Sequence, residues 1–303
     1  MSPLSKNEGA GTSPLQLEVA NAIERLKSLH GGDEALSEVL SFGAEAVAGL
    51  RTLLMQREPS GLYQARRHAA EALAALRSFD TLGEFLRLDR DINDPVERLG
   101  EDVVVGTAAR LIAQLREEWV FQLLLSLANC RMLSGVLTGL GAFRRPESIP
   151  CLVRALAEDE LRPTAEAVLR LFGRAVGPEL VRAAIHSVDP IRSESETERR
   201  ARRSALKALL EVGVSRKEWP LLRPLMQDED VQIAMLACIT CARVGTALDR
   251  TDAACRLAVL RPRGNWLQRQ QIDEVVTELA GKGGEKGHET IERGNESDAQ
   301  DSG

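Results

Sequence analysis

The chain has 303 residues, of which 44% are hydrophobic and 28% are charged, a balance typical of proteins that bury a core. Only 3% of the residues are aromatic, fewer than most β-sandwiches and α/β enzymes carry, whereas stacked Ala- and Leu-rich helices need few aromatic side chains. The formal net charge of −6 lacks the strongly basic balance of a general nucleic-acid binder, so no nucleic-acid partner is expected.

The cysteines and the N-terminal segment bear on where the protein works. Five cysteines are an odd number in a long chain and stand mostly within apolar helical patterns, which favours a reducing, cytoplasmic compartment over a disulfide framework. Residues 1–14 are rich in Gly, Ser and Pro and lack an apolar run. We expect them to be a disordered segment rather than a secretory signal.

One apolar run, residues 119–143, has the length of a membrane span. Arg131 stands near its centre, together with Gln122 and Asn129, and a charged side chain is costly in lipid. The run therefore predicts two shorter helices, and no membrane partner is expected.

From residue 15 onward, apolar residues recur at helical spacing and predict successive pairs of short helices. The first pair covers 15–29 and 36–40, ends at Gly43, and is expected to cap the fold. The second pair has its first helix at 47–54 and its second helix at 65–77.

The clearest pair covers residues 147–173. Ile149 and Leu152 belong to the apolar stripe of its first helix, and an acidic turn follows at 158–160. The stripe of the second helix ends at Gly173, because glycine readily takes the left-handed conformation that caps helices. Two such helices leave an apolar face uncovered, so the pair predicts one unit of a repeat.

A thirteen-residue pattern marks the second helix of each pair, with two adjacent small residues followed by leucines. Copies of the pattern occur at 65–77, 104–116, 129–141, 161–173, 201–213 and, two residues longer, 231–245. The glycines at 141, 173, 213, 245 and 281 are separated by 32, 40, 32 and 36 residues, as expected for two-helix repeats with loops of variable length.

The segment 65–77 resembles the second helix of HEAT repeats, including the bacterial repeats of phycobilisome-lyase-like proteins. That helix approximates V-R-x-x-A-A-x-A-L-x-x-L-G, and Arg66, Ala69, Ala70 and Leu73 stand at matching positions. The resemblance implies an all-α fold, a right-handed α-solenoid of about seven or eight antiparallel helix pairs.

The resemblance covers roughly residues 44–281 and implies one ion pair, whereas the apolar spacing and the polar tail set the expected domain boundaries. The solenoid should cover residues 15–281 and be followed by a disordered acidic tail at 282–303. Arg162 holds the arginine position of the pattern, which in this family meets an acid of the inter-helix turn, here Asp159.

Two polar intervals, 89–102 and 188–198, are longer than the minimal repeat requires. Both should fall between the first and second helix of a pair and project from the same edge of the solenoid. Insertions of this kind are either tolerated loop growth or a binding edge, and the sequence leaves both open.

The chain offers little catalytic chemistry. Cys238 and Cys241 form a C-x-x-C, but a metal would need two more ligands and Cys238 holds a small-residue core position, so burial is the favoured interpretation. His68 and His186 belong to no recognisable catalytic pair, and the three tryptophans are interpreted as packing residues. Neither a phosphate-binding loop nor a nucleophile elbow is present in the sequence, so no catalytic residue, metal or cofactor is predicted.

One pattern suggests a partner surface, here called the basic strip. The third and seventh positions of the thirteen-residue helix point away from the apolar stripe, toward the face that usually lines a solenoid's inner surface. The basic residues at these positions are Arg67, Arg110, Arg131, Arg203 and Lys207. Glu71 dilutes the positive field, and a solvated face is the default interpretation against which the functional strip is weighed.

The sequence thus predicts a non-enzymatic scaffold that binds another protein, through an acidic segment, along the concave face or the loop edge. The oligomeric state stays open. The alternatives are a HEAT-like enzyme of the bilin lyase or DNA glycosylase type and a binder of a phosphate-bearing ligand. A glycosylase would need a basic groove with a Trp-Asp constellation.

Overall fold

A computed structural model describes residues 13–28, 32–56, 63–88, 91–185 and 194–288, and these residues contain no strand. Their backbone forms sixteen α-helices joined by turns and short 3₁₀ segments, so the predicted all-α class is confirmed. The α-helices are α1 Pro14–Arg25, α2 Gly32–Ser41, α3 Val47–Met55, α4 Tyr63–Ala75, α5 Phe79–Leu86, α6 Pro95–Ile112, α7 Glu118–Cys130, α8 Ser134–Phe143, α9 Ile149–Arg154, α10 Arg162–Arg170, α11 Gly177–Ile185, α12 Glu196–Val212, α13 Trp219–Leu222, α14 Val231–Val244, α15 Ala247–Leu260 and α16 Trp266–His288.

The chain divides into two compact units, one ending at Arg144 and the other beginning at Arg145. Among the described residues of each unit, every odd-numbered helix packs on the even-numbered helix that follows it, which gives four helix pairs in each. Successive even-numbered helices also pack on one another within each unit. Stacking of pairs in two layers is the arrangement of an α-solenoid, and eight pairs agree with the predicted number.

Small side chains place the second helices close to their neighbours. On α4, Ala69, Ala70 and Ala72 are fully buried beside Leu73, as the repeat pattern predicts. Between α6 and α8 the approach is closer still, because a β-carbon built on Gly135 would overlap the carbonyl group of Gly106. Close backbone approach maximises the dispersion contacts of an interior that has few aromatic rings.

The arginine of the repeat pattern connects the two helices of a pair. Its Nε donates a hydrogen bond to a carbonyl at the end of the preceding helix, where helices leave such carbonyls without partners. The three cases are Arg66 to Leu54 at 3.0 Å, Arg162 to Leu156 at 3.0 Å and Arg202 to Ala184 at 2.9 Å. The predicted ion pair also forms, with Arg162 Nη2 at 2.5 Å from Asp159 Oδ1.

The copy of the pattern at 129–141 is not one helix, which corrects the sequence interpretation. Helix α7 continues to Cys130 and α8 begins only at Ser134, so Arg131 lies between the helices with an extended backbone. Gly141 is correspondingly an internal, buried residue of α8, which ends at Phe143. The two-helix interpretation of residues 119–143 is confirmed, and no helix in the described ranges is long and apolar enough to cross a bilayer.

Several boundaries differ from those expected. Helix α6 begins at Pro95, because the Asp94 carboxylate accepts hydrogen bonds from the amides of Val96 and Glu97, so much of the interval 89–102 is helical rather than loop. Helix α12 begins at Glu196 behind a capping box at Ser195. Residues 188–193, which make up most of the other polar interval at 188–198, lie outside the described residues.

The structure also bears on the predicted domain boundaries, which were placed after residues 14 and 281. Helix α16 runs through Gly281 to His288, and the residues expected to form a single solenoid are shared between two compact units. Residues 1–12 and 289–303, where disorder was predicted, lie outside the described residues.

Candidate partner-binding groove

Most of the predicted basic strip is neutralised by carboxylates of the same chain. Three of its five residues form ion pairs: Arg67 with Glu71 at 3.0 Å, Arg131 with Asp102 at 2.5 Å, and Arg203 with both Asp230 and, at 3.1 Å, Glu196. Of the five strip residues, only Arg110 and Lys207 are exposed and without an ion pair in the described part of the chain. The strip residues therefore offer less positive charge to an anionic partner than the sequence alone suggested.

The second unit contains a groove of about 1020 Å³, formed by α13, α15, α16 and the turn that joins α14 to α15. Apolar and basic side chains line it together. The lining residues on which its chemistry depends are Arg216, Trp219, Arg223, Leu248, Asp249, Arg250 and Val276.

The groove exposes apolar surface to solvent. Leu248 is 67% exposed on the first turn of α15, and Val276 is 36% exposed on the facing helix α16. Leu279, one turn beyond Val276, is buried and supports the groove from below. Isolated exposed apolar residues are common, but two that face one groove form a surface that a ligand can cover.

Asp249 holds the wall of the groove together. Its carboxylate accepts the Trp219 indole N–H at 3.0 Å and the Thr246 amide N–H at 3.0 Å, and it lies 2.9 Å from Arg223 Nε. Burial opposes ionisation of this carboxyl, but these donors more than offset burial, so its pKa is lowered. The Asp249 carboxylate is therefore ionised at neutral pH, and its role in the wall of the groove is structural.

The rim of the groove carries positive charge that the described residues do not neutralise. Arg223 is held by Asp249 and, at 3.2 Å, by Asp252. Arg216 is exposed, and Arg250 is half-buried with only a 3.4 Å hydrogen bond to the Thr246 carbonyl. Neither Arg216 nor Arg250 forms an ion pair within the described ranges, so both can pair with an anion on a ligand.

The C-x-x-C is part of the core, as the favoured interpretation held. Cys238 and Cys241 are fully buried on α14, and burial raises the pKa of each thiol to about 12. The described residues contain no group of three or more His, Cys, Asp or Glu side chains placed to hold a metal ion.

The two histidines of interest have separate outcomes. His68 is buried on α4, with Arg67 Nη2 at 2.9 Å from its Nε2, while His186 lies outside the described residues.

Trp219 is a buried packing residue, as predicted, but the sequence did not predict its hydrogen bond to Asp249. The sequence T-A-L-D at 246–249 is a capping-box signature that could have identified that carboxylate.

No family model and no curated protein sequence matches this chain. Among solved structures, it is similar to human deoxyhypusine hydroxylase in complex with glycerol, at 15% identity over 88% of this chain and 97% of that one. The TM-score of that match is 0.33, which is too low to support any inference about activity. The assignment to the α-solenoid class is carried here by the helices of the chain itself.

Proposed function

We propose that the protein is a non-enzymatic interaction scaffold whose second unit binds an acidic, amphipathic segment of a partner protein in this groove. The observation that carries the proposal is the combination of exposed apolar side chains, Leu248 and Val276, with two guanidinium groups, Arg216 and Arg250, that no carboxylate of the described residues pairs with.

The apolar part of the groove favours a polypeptide over a simple anion. A phosphate-bearing ligand would satisfy Arg216 and Arg250 but would leave Leu248 and Val276 in contact with water. Covering apolar surface contributes roughly 25 cal/mol per Å², so a ligand that covers both side chains binds more tightly than one that pairs with the cations alone. A helix with an apolar stripe flanked by Glu or Asp supplies both kinds of contact.

Site-specific photo-crosslinking tests the proposal directly. A photoreactive amino acid at Leu248 should capture a partner, and the crosslinked peptide should contain acidic residues beside an apolar stripe. The matched control places the same amino acid at Leu221, which is 54% exposed in the same unit but does not line the groove. Equal capture from both positions would contradict binding in the groove.

Affinity for a synthetic copy of the captured segment then tests the chemistry. Binding should weaken in Leu248→Glu and in Arg216→Glu/Arg250→Glu, and wild-type binding should weaken as salt is raised. The basic strip is tested by Arg110→Glu/Lys207→Glu, which breaks no ion pair within the described residues. Loss of binding in this second double variant alone would move the site to the strip.

A second candidate function rests on the Trp219–Asp249 pair, since a tryptophan and an aspartate in a basic groove are what a HEAT-like DNA glycosylase would need. The donors that surround the Asp249 carboxylate favour a structural role for it instead. Release of alkylated bases from DNA by the wild type, and its loss in Asp249→Asn with the fold intact, would establish the glycosylase and overturn the scaffold.

A further inference from the structure

Three arginines of the first unit have a backbone conformation that L-residues rarely adopt. Arg77, Arg116 and Arg144 have φ angles of 58°, 56° and 52°, in the left-handed region that favours glycine. At the matching turns that follow α2 and α10, Gly43 and Gly173 have φ angles of 58° and 56°. The same backbone is therefore built with glycine at some turns and with arginine at these three.

Each of the three arginines follows a second helix of a pair. Arg77 comes after α4, Arg116 after the 3₁₀ turn that ends α6, and Arg144 after α8. At the first of these turns, the Ser78 amide donates to the Leu73 carbonyl at 2.8 Å, the bond that normally accompanies a left-handed helix cap. Arginine here raises the free energy of the turn relative to glycine, and backbone strain of this kind is concentrated at functional sites.

The helix contacts bring the three turns to one edge of the first unit. Gly106 faces Gly135 and Ala109 faces Gly139, so α6 and α8 run in the same direction. Arg116 and Arg144 lie ten and nine residues beyond the contact of Gly106 with Gly135, which places them at nearly the same height.

Helix α4 follows the same arrangement. Arg66 pairs with Glu101 at 2.5 Å, and α4 and α6 run in the same direction because α5 reverses the chain between them. Arg77 and Arg116 lie eleven and fifteen residues beyond that pair, a difference of about one helical turn, roughly 5.4 Å. A flexible arginine side chain spans much of that offset.

The three side chains carry charge that the described part of the chain does not neutralise. All three are exposed, and none forms an ion pair or side-chain hydrogen bond among the described residues. Two carboxylates of this unit stand close in sequence, Asp80 after Arg77 and Glu117 after Arg116. Glu117 accepts the Trp119 indole N–H at 2.6 Å, and Asp80 makes no ion pair with any of the three arginines.

We propose that Arg77, Arg116 and Arg144 form an arginine edge that binds an acidic polypeptide in the polyproline II conformation, with a carboxylate at every third residue. Adjacent packed helices are about 8–10 Å apart, and one three-residue turn of polyproline II rises about 9 Å and returns every third side chain to the same face. Successive carboxylates of such a segment can therefore each meet one guanidinium group, which binds carboxylates through paired hydrogen bonds. This edge belongs to the first unit and does not depend on the groove of the second.

The arginine edge can be removed without harm to the fold, which makes the experiment decisive. The variant Arg77→Gly/Arg116→Gly/Arg144→Gly places glycine where the backbone favours it, so Tm should be unchanged or higher. Fluorescence anisotropy would measure binding of a peptide with Glu at every third residue and of a peptide of the same composition with contiguous glutamates. Wild type should prefer the spaced peptide, and the glycine variant should bind it at least about tenfold more weakly.

Controls separate the arginine edge from net charge and from a structural role. Arg174→Gln/Lys217→Gln/Arg263→Gln removes three exposed charges outside the arginine edge, the basic strip and the groove, and should bind the spaced peptide as wild type does. Equal binding of both peptides, or unchanged binding in the glycine variant, would overturn the proposal. So would a lower Tm in the glycine variant, which would make the arginines structural. Binding of poly(U) or of phosphatidylserine vesicles without binding of the spaced peptide would replace the acidic polypeptide by a nucleic acid or a lipid surface.

Discussion

The arginine at the second position of the repeat pattern acts through two different atoms. Its Nε donates to a helix-end carbonyl, and its terminal nitrogens donate to a carboxylate. Both partners of Arg66, the Leu54 carbonyl and the Glu101 carboxylate, belong to buried residues, and the side chain of Glu101 is only 1% exposed. The sequence pattern predicted the carboxylate contact but not the carbonyl contact. Every residue has a backbone carbonyl, so residue type does not show which one accepts a hydrogen bond.

Burial divides the five cysteines into two groups with different reactivity. Cys130 and Cys255 are exposed, whereas Cys151, Cys238 and Cys241 are buried. Burial also raises the pKa of the Cys238 and Cys241 thiols to about 12, so they stay protonated and unreactive near neutral pH.

A thiol-reactive dye should therefore label two cysteines in the native protein and five after denaturation in urea. Mass spectrometry of the native sample should place the label on Cys130 and Cys255. The double variant Cys130→Ser/Cys255→Ser should then show almost no native labelling. Rapid native labelling of Cys238 would contradict its place in the core.

At the scale of helices, the contact between α6 and α8 has no room for a side chain at one position. In Gly135→Ala the new β-carbon would overlap the Gly106 carbonyl, and because the obstacle is backbone, both helices would have to move. We expect a loss of about 1–3 kcal/mol in the free energy of unfolding, although alanine normally stabilises a helix relative to glycine. Urea denaturation followed by circular dichroism measures this change.

Gly106→Ala is the matched control on the facing helix. A β-carbon there would meet its nearest neighbour, the Gly135 nitrogen, at 3.7 Å, which is ordinary contact. Stability should be unchanged or higher by up to about 1 kcal/mol, the difference in helix propensity between alanine and glycine. Equal losses in the two variants would show that the helices cross elsewhere.

The elements that the sequence predicted well are those defined by local apolar spacing. Helices α3, α10 and α14 follow their stripes closely, and Gly173 takes the left-handed turn expected of it. The start of α6 was missed although Asp94-Pro95 is a helix N-terminus signal, because the polar composition of the interval suggested a loop.

The candidate sites were harder to predict because the sequence does not show which residues of neighbouring repeats lie beside one another. The strip residues were identified by position, but the carboxylate that neutralises Arg131 comes from residue 102 and one that neutralises Arg203 comes from residue 230. Those acids stand in neighbouring repeats, and the spacing of variable loops does not reveal which ones meet. The groove residues come from three helices, so no single stretch of sequence displays them.

Across the molecule, arginine–carboxylate pairs join successive elements, and their density is high around α12 in the second unit. The Arg162 guanidinium is the main cause of the lowered pKa of Asp159, and that of Arg199 is the main cause for Glu196. Burial opposes ionisation of Asp230, but Arg203 and the first amides of α14 more than offset it, so its pKa is lowered too.

These shifts give the stability of the protein a defined dependence on pH. A carboxyl group whose pKa is lower in the folded state binds fewer protons there than in the unfolded chain, so its contribution is complete above the unfolded value, about 4. That contribution is lost as pH falls through the lower, folded value. The urea midpoint should therefore be nearly constant from about pH 7 to about pH 5.5 and fall steadily toward about pH 3.

The variant Asp159→Asn/Glu196→Gln/Asp230→Asn should be less stable at neutral pH and should lose less stability on acidification, since its carboxyl groups no longer titrate. Asparagine at 230 can still accept the amide hydrogen bonds that begin α14, so the helix itself should persist. The control Glu45→Gln/Glu160→Gln/Glu229→Gln removes the same charge from acids that form no ion pair within the described ranges. If both variants keep the acid sensitivity of the wild type, other carboxylates set it and these pairs are incidental to stability.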